Sequence, residues 1–378
     1  SIIFISKIRR KILNNIGLYI HVPFCKNKCP YCDFYSVNAD DELMEAYTND
    51  LILKINQWSL KVNKPVNTIY FGGGTPSLLG NKRIDKIMNS IYANFKINTP
   101  EVTLEVNPTS LSQINFKELL KSNVNRLSIG LQSANDNELV LLGRMHSALD
   151  AKNTIQSAQK AGFENISLDL MLATPMQNKN SLKTSIEFCK DLNAQHISAY
   201  LLKIEKGTKY YINKDNLEFK NDDKQSDLYL FACEELEKSG FSQYEISNFC
   251  KEGKESKHNL KYWNCDEYLG LGPGAHSFVN GKRFYYERSI KDFMHKNNTI
   301  DDGIGGTIEE YSILQLRLAS GLRKKEFFYK FKENIPQIYI DKAKSYEKYD
   351  LIKVSEDAIK FTRKGFLLSN ELFCKILL

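Results

Sequence analysis

A chain of 378 residues, 42% hydrophobic and 26% charged, is long enough for one large globular domain and a smaller one. No apolar run approaches the length that spans a bilayer, so a transmembrane protein is not expected, and membrane association, if any, would be peripheral. The net charge of +7 comes from lysines interleaved with acids along the whole chain, with no basic block and no aromatic-basic signature, so nucleic acid is not an expected partner.

The first residues, Ser-Ile-Ile-Phe-Ile-Ser, are too short an apolar run for a secretory signal and are followed at once by Lys7, Arg9, Arg10 and Lys11. A cytoplasmic protein without structural disulfides is expected. From there to about residue 205 one unit recurs: a short β-branched apolar run, a loop, and an amphipathic stretch of helical length. The strand-like runs are Leu18–Val22, Asn67–Phe71, Val102–Val106, Arg126–Leu131, Ile166–Leu172 and His196–Ile204. Helical patterns fall between them at Glu42–Gln57, Lys82–Phe95, Ser110–Lys121, Asn135–Leu142 with Ala148–Ala161, and Ser181–Leu192. Such alternation predicts an α/β fold with a parallel sheet. A doubly wound sheet gathers its ligand contacts at one switch point, whereas a barrel draws them from many strand ends. Here unusual residues attend every strand, which predicts a partial (β/α)6 TIM-like barrel, open on one side. The expected division is a core over 1–215, a distinct region over 216–302, and a small helix-rich domain over 303–378.

Cys25, Cys29 and Cys32 form a C-x3-C-x2-C loop directly after the first strand. Three thiolates with no fourth beside them suit a four-iron cluster with one iron left open, since such clusters ordinarily take four cysteines. The competing readings are zinc, which wants four closed ligands and usually two cysteine pairs, and plain buried thiols. Cys189, Cys233, Cys250, Cys265 and Cys374 are scattered singly and have no metal spacing. Gly72-Gly73-Gly74-Thr75 follows the second strand, where it either presents amides to a ligand or makes an ordinary turn. Glu105, Gln132, Arg144 and Asp169 are candidates to bind amino, hydroxyl and carboxylate groups of a small polar ligand. Downstream, His258-Asn259-Leu-Lys-Tyr262-Trp263 would place His258 with Tyr262, and Asn259 with Trp263, on shared helix faces. That cluster reads either as a haem-binding motif or as an aromatic packing anchor. His276 and Cys265 carry the same ambiguity.

Together these residues resemble the radical S-adenosylmethionine (SAM) superfamily and, within it, the HemW-type haem chaperones, similar to oxygen-independent coproporphyrinogen III oxidases. The resemblance runs from about Gly17 to the C-terminus through Tyr19-Ile-His21-Val-Pro-Phe-Cys25, Cys29-Pro-Tyr31-Cys32-Asp-Phe34, Gly72 to Ser77, Glu105-Val-Asn-Pro108, Ser128 to Ser133, Gly143-Arg144-Met-His146, Tyr244-Glu-Ile-Ser-Asn248 and His258 to Trp263. It implies a [4Fe-4S] cluster on Cys25, Cys29 and Cys32 whose open iron chelates SAM. It also implies that Tyr19, Tyr31, Gly73, Gly74, Thr75, Glu105, Gln132, Arg144 and Asp169 surround that cofactor. For His258, Asn259, Tyr262 and Trp263 it implies haem binding, with delivery to respiratory haem proteins. The oxidase branch, which decarboxylates coproporphyrinogen III by radical chemistry, carries a further cysteine two residues after the third and a longer N-terminal segment. Phe34 and the 24 residues before Cys25 favour the chaperone branch. Leu172-Ala-Thr-Pro175 departs from the family's Gly-Leu-Pro turn.

Overall fold

The computed structural model describes residues 15–110, 114–296 and 298–377. The N-terminal apolar run and residues 111–113 of the helix expected over Ser110–Lys121 lie outside the described residues. Six strands, β1 (Ile16–Val22), β2 (Val66–Gly73), β3 (Ile97–Val106), β4 (Arg126–Gln132), β5 (Ile166–Leu172) and β6 (His196–Leu201), pair in parallel in that order. The helices between them are α1 (Asp41–Ser59), α2 (Gly80–Asn94), α3 (Phe116–Lys121), α4 (Asp136–Leu141), α5 (Ala148–Ala161) and α6 (Lys179–Asp191). Their starts follow from local chemistry. Asp40 accepts the Leu43 amide ahead of α1, and Ser147 and Asp150 form a reciprocal capping box ahead of α5, satisfying amides that a helix leaves unpaired.

Alternation along the strands decides the architecture. One phase is apolar: Ile16, Leu18, Ile20, Ile69, Phe71, Val102, Leu104, Leu127, Ile129, Leu168, Leu170 and Ile197 are buried in one core with Leu51 and Ile55 of α1, Ile84 and Ile87 of α2, Ile155 of α5 and Ile186 of α6. Each such side chain contributes roughly 1.5–3 kcal/mol on burial. The other phase is polar, and register lines it up across the sheet, with Tyr19 beside Tyr70, Tyr70 beside Thr103, Glu105 beside Ser128 and Asp169 beside Ser198. A closed eight-stranded barrel fills its lumen with branched apolar side chains. A polar lumen in an open one is a chamber for a ligand.

The sheet does not stop at six strands. Tyr268–Leu271 (β7) pairs in parallel with β1, and His276–Val279, Lys282–Tyr285 and Ile300–Ile304 continue antiparallel beyond it. On the far edge Asn248–Cys250 pairs antiparallel with β6 and with Ser242–Gln243. The Gly-rich segment Leu269 to His276 is thus a strand, a turn and the start of another strand. Its partner β1 is remote in sequence, so no local pattern marks the pairing. The C-terminal part is helical around a three-stranded sheet of Leu322–Arg323, Ile352–Val354 and Ala358–Phe361. It is tied to the barrel where Glu245 bridges Leu318 and the Ile246 amide donates to the Arg317 carbonyl at 2.9 Å.

Candidate cofactor site at the mouth of the barrel

Beyond β1 the chain makes the cysteine loop, anchored at both ends: the Cys25 amide donates to Val37 O (3.0 Å) and the Val37 amide to Pro23 O (2.7 Å). Inside it the Cys32 amide donates to Cys29 O at 3.1 Å, and Pro30 O accepts the Tyr210 amide at 2.9 Å. Cys25, Cys29 and Cys32 are half-buried free thiols lining a cavity of about 870 Å3 at the C-terminal ends of the strands. Burial is the main cause that raises the Cys32 thiol pKa, with the other two cysteines adding to it. Among the described residues no three His, Cys, Asp or Glu side chains converge on a single ion. A mononuclear zinc site needs all its sulfurs within about 2.3 Å of one centre. Thiolates spread around a cavity fit a polynuclear cluster, which takes its sulfurs at separate irons.

The glycine loop lies against the cysteine loop, and its amides are already engaged. The Gly73 amide donates to Glu105 Oε2 (3.2 Å), Gly74 to Val22 O (2.8 Å) and Thr75 to Phe24 O (2.7 Å). The glycines serve close approach instead of an open amide nest. Gly73 has φ +111, and a Cβ on Gly74 would stand 2.5 Å from Phe24 O. Thr75 Oγ1 is 3.4 Å from Cys25 Sγ.

Glu105 and Asp169 face the same cavity. Glu105 accepts from Tyr70 OH at 2.9 Å, and Asp169 accepts from Ser128 Oγ at 3.2 Å. Burial, followed by the Asp169 charge, pushes the Glu105 carboxyl up to about 8, and burial pushes Asp169 to about 6 against the pull of Ser198 and Ser128. Two half-buried carboxyls are held above their ordinary range even with the Arg126 charge acting on both, and a ligand cation would restore their ionised forms. Arg144 turns inward, its Nη1 3.6 Å from Cys29 Sγ and its Nη2 donating to Gly130 O at 3.0 Å, while its Nε has no partner among the described residues. Gln132 lines the cavity from a left-handed backbone (φ +67), a conformation uncommon outside glycine and concentrated at functional positions. Tyr31 also lines it. Tyr19 lies deeper in the lumen, where its hydroxyl donates to His21 Nδ1 at 3.0 Å, His21 Nε2 itself donating to Tyr35 O.

The motif at 258–263 divides. Helix Lys257–Trp263 packs under the barrel with His258 buried, its ring nitrogens bonded to Thr68 Oγ1 (2.8 Å) and Tyr262 OH (2.9 Å) and its ring stacked on Tyr70 at 5.2 Å. Burial lowers its pKa to about 3. Asn259, Tyr262 and Trp263 instead line the inner end of the cavity. His276 is exposed and stacked on Tyr285, and Cys265 is buried. Sequence reasoning passed over Arg126, Ser128 and Ser198, which also line the cavity. Their signal was the polar phase of two strands, Arg126-x-Ser128-x-Gly130-x-Gln132 and His196-x-Ser198-x-Tyr200.

A partial barrel with three thiols at its mouth and a polar lumen defines a radical SAM protein, and the family model of the radical SAM superfamily matches residues 19–189. Over most of its length the chain is similar to the haem chaperone HemW of Bacillus subtilis (35% identity, 94% of this chain and 97% of that one) and of Lactococcus lactis (34%, 95% and 97%). The chain belongs to the HemW family of the radical SAM superfamily. Its fold is also that of the Escherichia coli coproporphyrinogen III oxidase HemN, with a TM-score of 0.81, 20% identity, and coverage of 100% of this chain and 93% of that one. Among the described residues no helix is long and apolar enough to cross a membrane.

Proposed function

We propose that this chain carries a [4Fe-4S] cluster on Cys25, Cys29 and Cys32, binds SAM beside it, and binds haem for delivery to respiratory haem proteins in the cytoplasm. The observation that carries the reading is the meeting of three half-buried thiols, two carboxyls held above their ordinary range and one inward arginine in a single cavity. When bound, the cluster supplies an iron with an open position for the amino and carboxylate groups of SAM. Glu105 and Asp169 stabilise the ligand's positive charge. Arg144 directs positive charge at the Cys29 sulfur, and Thr75 lies against the Cys25 sulfur. Gln132 and Tyr31 border the ligand, Gly73 and Gly74 let the two loops touch, and Tyr19 supports the lumen through His21.

For haem, the relatives' name supports the cargo, and the structure bears on which residues could meet it. His258 acts as a packing anchor, since both ring nitrogens are already bonded, whereas Asn259, Tyr262 and Trp263 can touch a ligand in the cavity. Residues 1–215 form the cofactor core in this reading, 216–302 close it, and 303–378 cap its inner end.

The test is anaerobic reconstitution of the purified protein. About four irons should be held, and Cys25→Ala, Cys29→Ala or Cys32→Ala should each abolish the iron–sulfur absorption. SAM should change the electron paramagnetic resonance spectrum of the reduced cluster, and haem should bind with a Soret shift. Reduced protein with SAM and coproporphyrinogen III should release no carbon dioxide; multiple turnovers would assign the oxidase reaction instead.

A further inference from the structure

The chain has six histidines, and four of them are buried. His21 is bonded to Tyr19 OH and Tyr35 O, His146 to Leu131 O, His196 to Ser167 Oγ and Tyr244 OH, and His258 to Thr68 Oγ1 and Tyr262 OH. An imidazole committed to the fold in this way cannot meet an external metal without disturbing its own packing. His276 and His295 are the exposed ones. Of these two, His276 alone is paired with a carboxylate among the described residues, its Nδ1 lying 3.7 Å from Asp302 Oδ2.

Three strands beyond the barrel bring that pair together. His276 stands opposite Tyr285 and Tyr285 opposite Ile300, so their side chains share one face of the sheet, and Asp302 follows two residues after Ile300. The imidazole is stacked on the Tyr285 ring at 4.9 Å, with 22° between the planes, and the side chain is still 56% exposed. A carboxylate beside Nδ1 favours the proton on that nitrogen, which leaves the Nε2 lone pair free on the exposed imidazole. Ligating histidines are ordinarily held in this manner.

What such a nitrogen can hold follows from the number of its neighbours. A bare metal ion needs several protein ligands, and among the described residues no three His, Cys, Asp or Glu side chains converge. Haem iron brings its porphyrin nitrogens with it and takes a single histidine from the protein. Apolar surface for the macrocycle lies close by, in the Tyr285 ring, Ile300 and Ile304, the last 83% exposed on the strand that carries Asp302. We propose that His276 is the axial ligand through which this protein holds haem, on the outer face of the sheet and not in the barrel cavity. The inference rests on the haem reading above and gives it a ligand. An open face suits a cargo that must be handed on, because a recipient can approach the porphyrin without the carrier opening.

Haemin titration of the reconstituted full-length protein, freed of any histidine tag, tests the assignment. The parent should give a saturable Soret shift, and its ferric complex should show the electron paramagnetic resonance spectrum of imidazole-ligated iron. His276→Ala, at an exposed position, should leave the urea midpoint unchanged, weaken haemin about tenfold or more and abolish the imidazole signature. His295→Ala should bind haemin as the parent does. Asp302→Asn should weaken haemin about tenfold, the lower end of the cost of removing a ligand's orienting partner, and Asp302→Glu should recover most of the loss. Parental affinity and an unchanged imidazole signature in His276→Ala would overturn the ligand assignment while leaving the haem reading intact. A parent with no Soret response would overturn both, so the two failures are told apart by one titration.

Discussion

If His258 is an anchor, replacing it should damage the fold before it damages any haem chemistry. In His258→Ala two side-chain hydrogen bonds disappear, at about 1 kcal/mol each. The ring's contacts with Tyr70 and Tyr262, both at 5.2 Å, add roughly 0.5–1.5 kcal/mol, and the void beneath the barrel adds about 2 kcal/mol more. The sum, about 4.5–5.5 kcal/mol, is a large share of the 5–15 kcal/mol that holds a typical domain together. Urea unfolding followed by circular dichroism reads it directly as a lowered midpoint. Thr68→Val is the control, because it removes the partner of Nδ1 without touching any possible iron ligand, and should cost about 1–3 kcal/mol. Haem titrations on the same samples should show His258→Ala and Thr68→Val losing Soret intensity in proportion to their loss of folded protein. A His258→Ala protein as stable as the parent, with haem binding abolished, would refute the reasoning and make His258 a ligand.

The buried histidines give stability a pH dependence of definite sign. The unfolded His258 takes up a proton near pH 6.5 while the folded one resists until about 3, so stability is full above pH 6.5 and falls by up to about 1.4 kcal/mol per unit below it. Urea midpoints measured between pH 7 and 4.5 should fall less steeply in His258→Asn than in the parent; His196, His146 and His21 act in the same direction as His258, and the raised carboxyls of Glu105 and Asp169 act in the opposite one, so the difference between the two proteins carries the prediction. Gly74→Ala should push the Phe24 backbone away and lower iron retention after reconstitution, whereas Gly281→Ala, with open space around its Cβ position, should leave iron content unchanged. Glu105→Gln should weaken SAM about ten- to a hundredfold by equilibrium dialysis, the loss expected for one charge-assisted hydrogen bond.

Local pattern carried the six parallel strands because each pairs with its neighbour in sequence and alternates in phase with the pleat. The same phase, read more closely, would have led to Arg126 and Ser128. The cysteine loop and the strand-end carboxylates were legible because their chemistry depends on residue type and on position after a strand. What stayed hidden was decided by contacts far apart in sequence. The partner of His258 is Thr68, and the amides of the glycine loop are taken by Glu105 and the cysteine segment. A helical spacing places His258 and Tyr262 on one face but cannot say whether that face meets a cofactor or the floor of a barrel.

The pairing of β1 with β7 also has a consequence for how the chain is made. β1 lies inside the sheet, yet one of its two neighbours is synthesised about 250 residues after it. At 5–20 residues per second that is a delay of roughly 12–50 s, during which Ile-Gly-Leu-Tyr-Ile-His-Val presents an unpaired edge on a nascent chain. Such an edge is a template for misassociation between chains. On the ribosome, the interval between β1 and β7 is when this protein would most depend on general folding factors, and slowing translation across it should raise the aggregated fraction without changing the stability of the finished molecule.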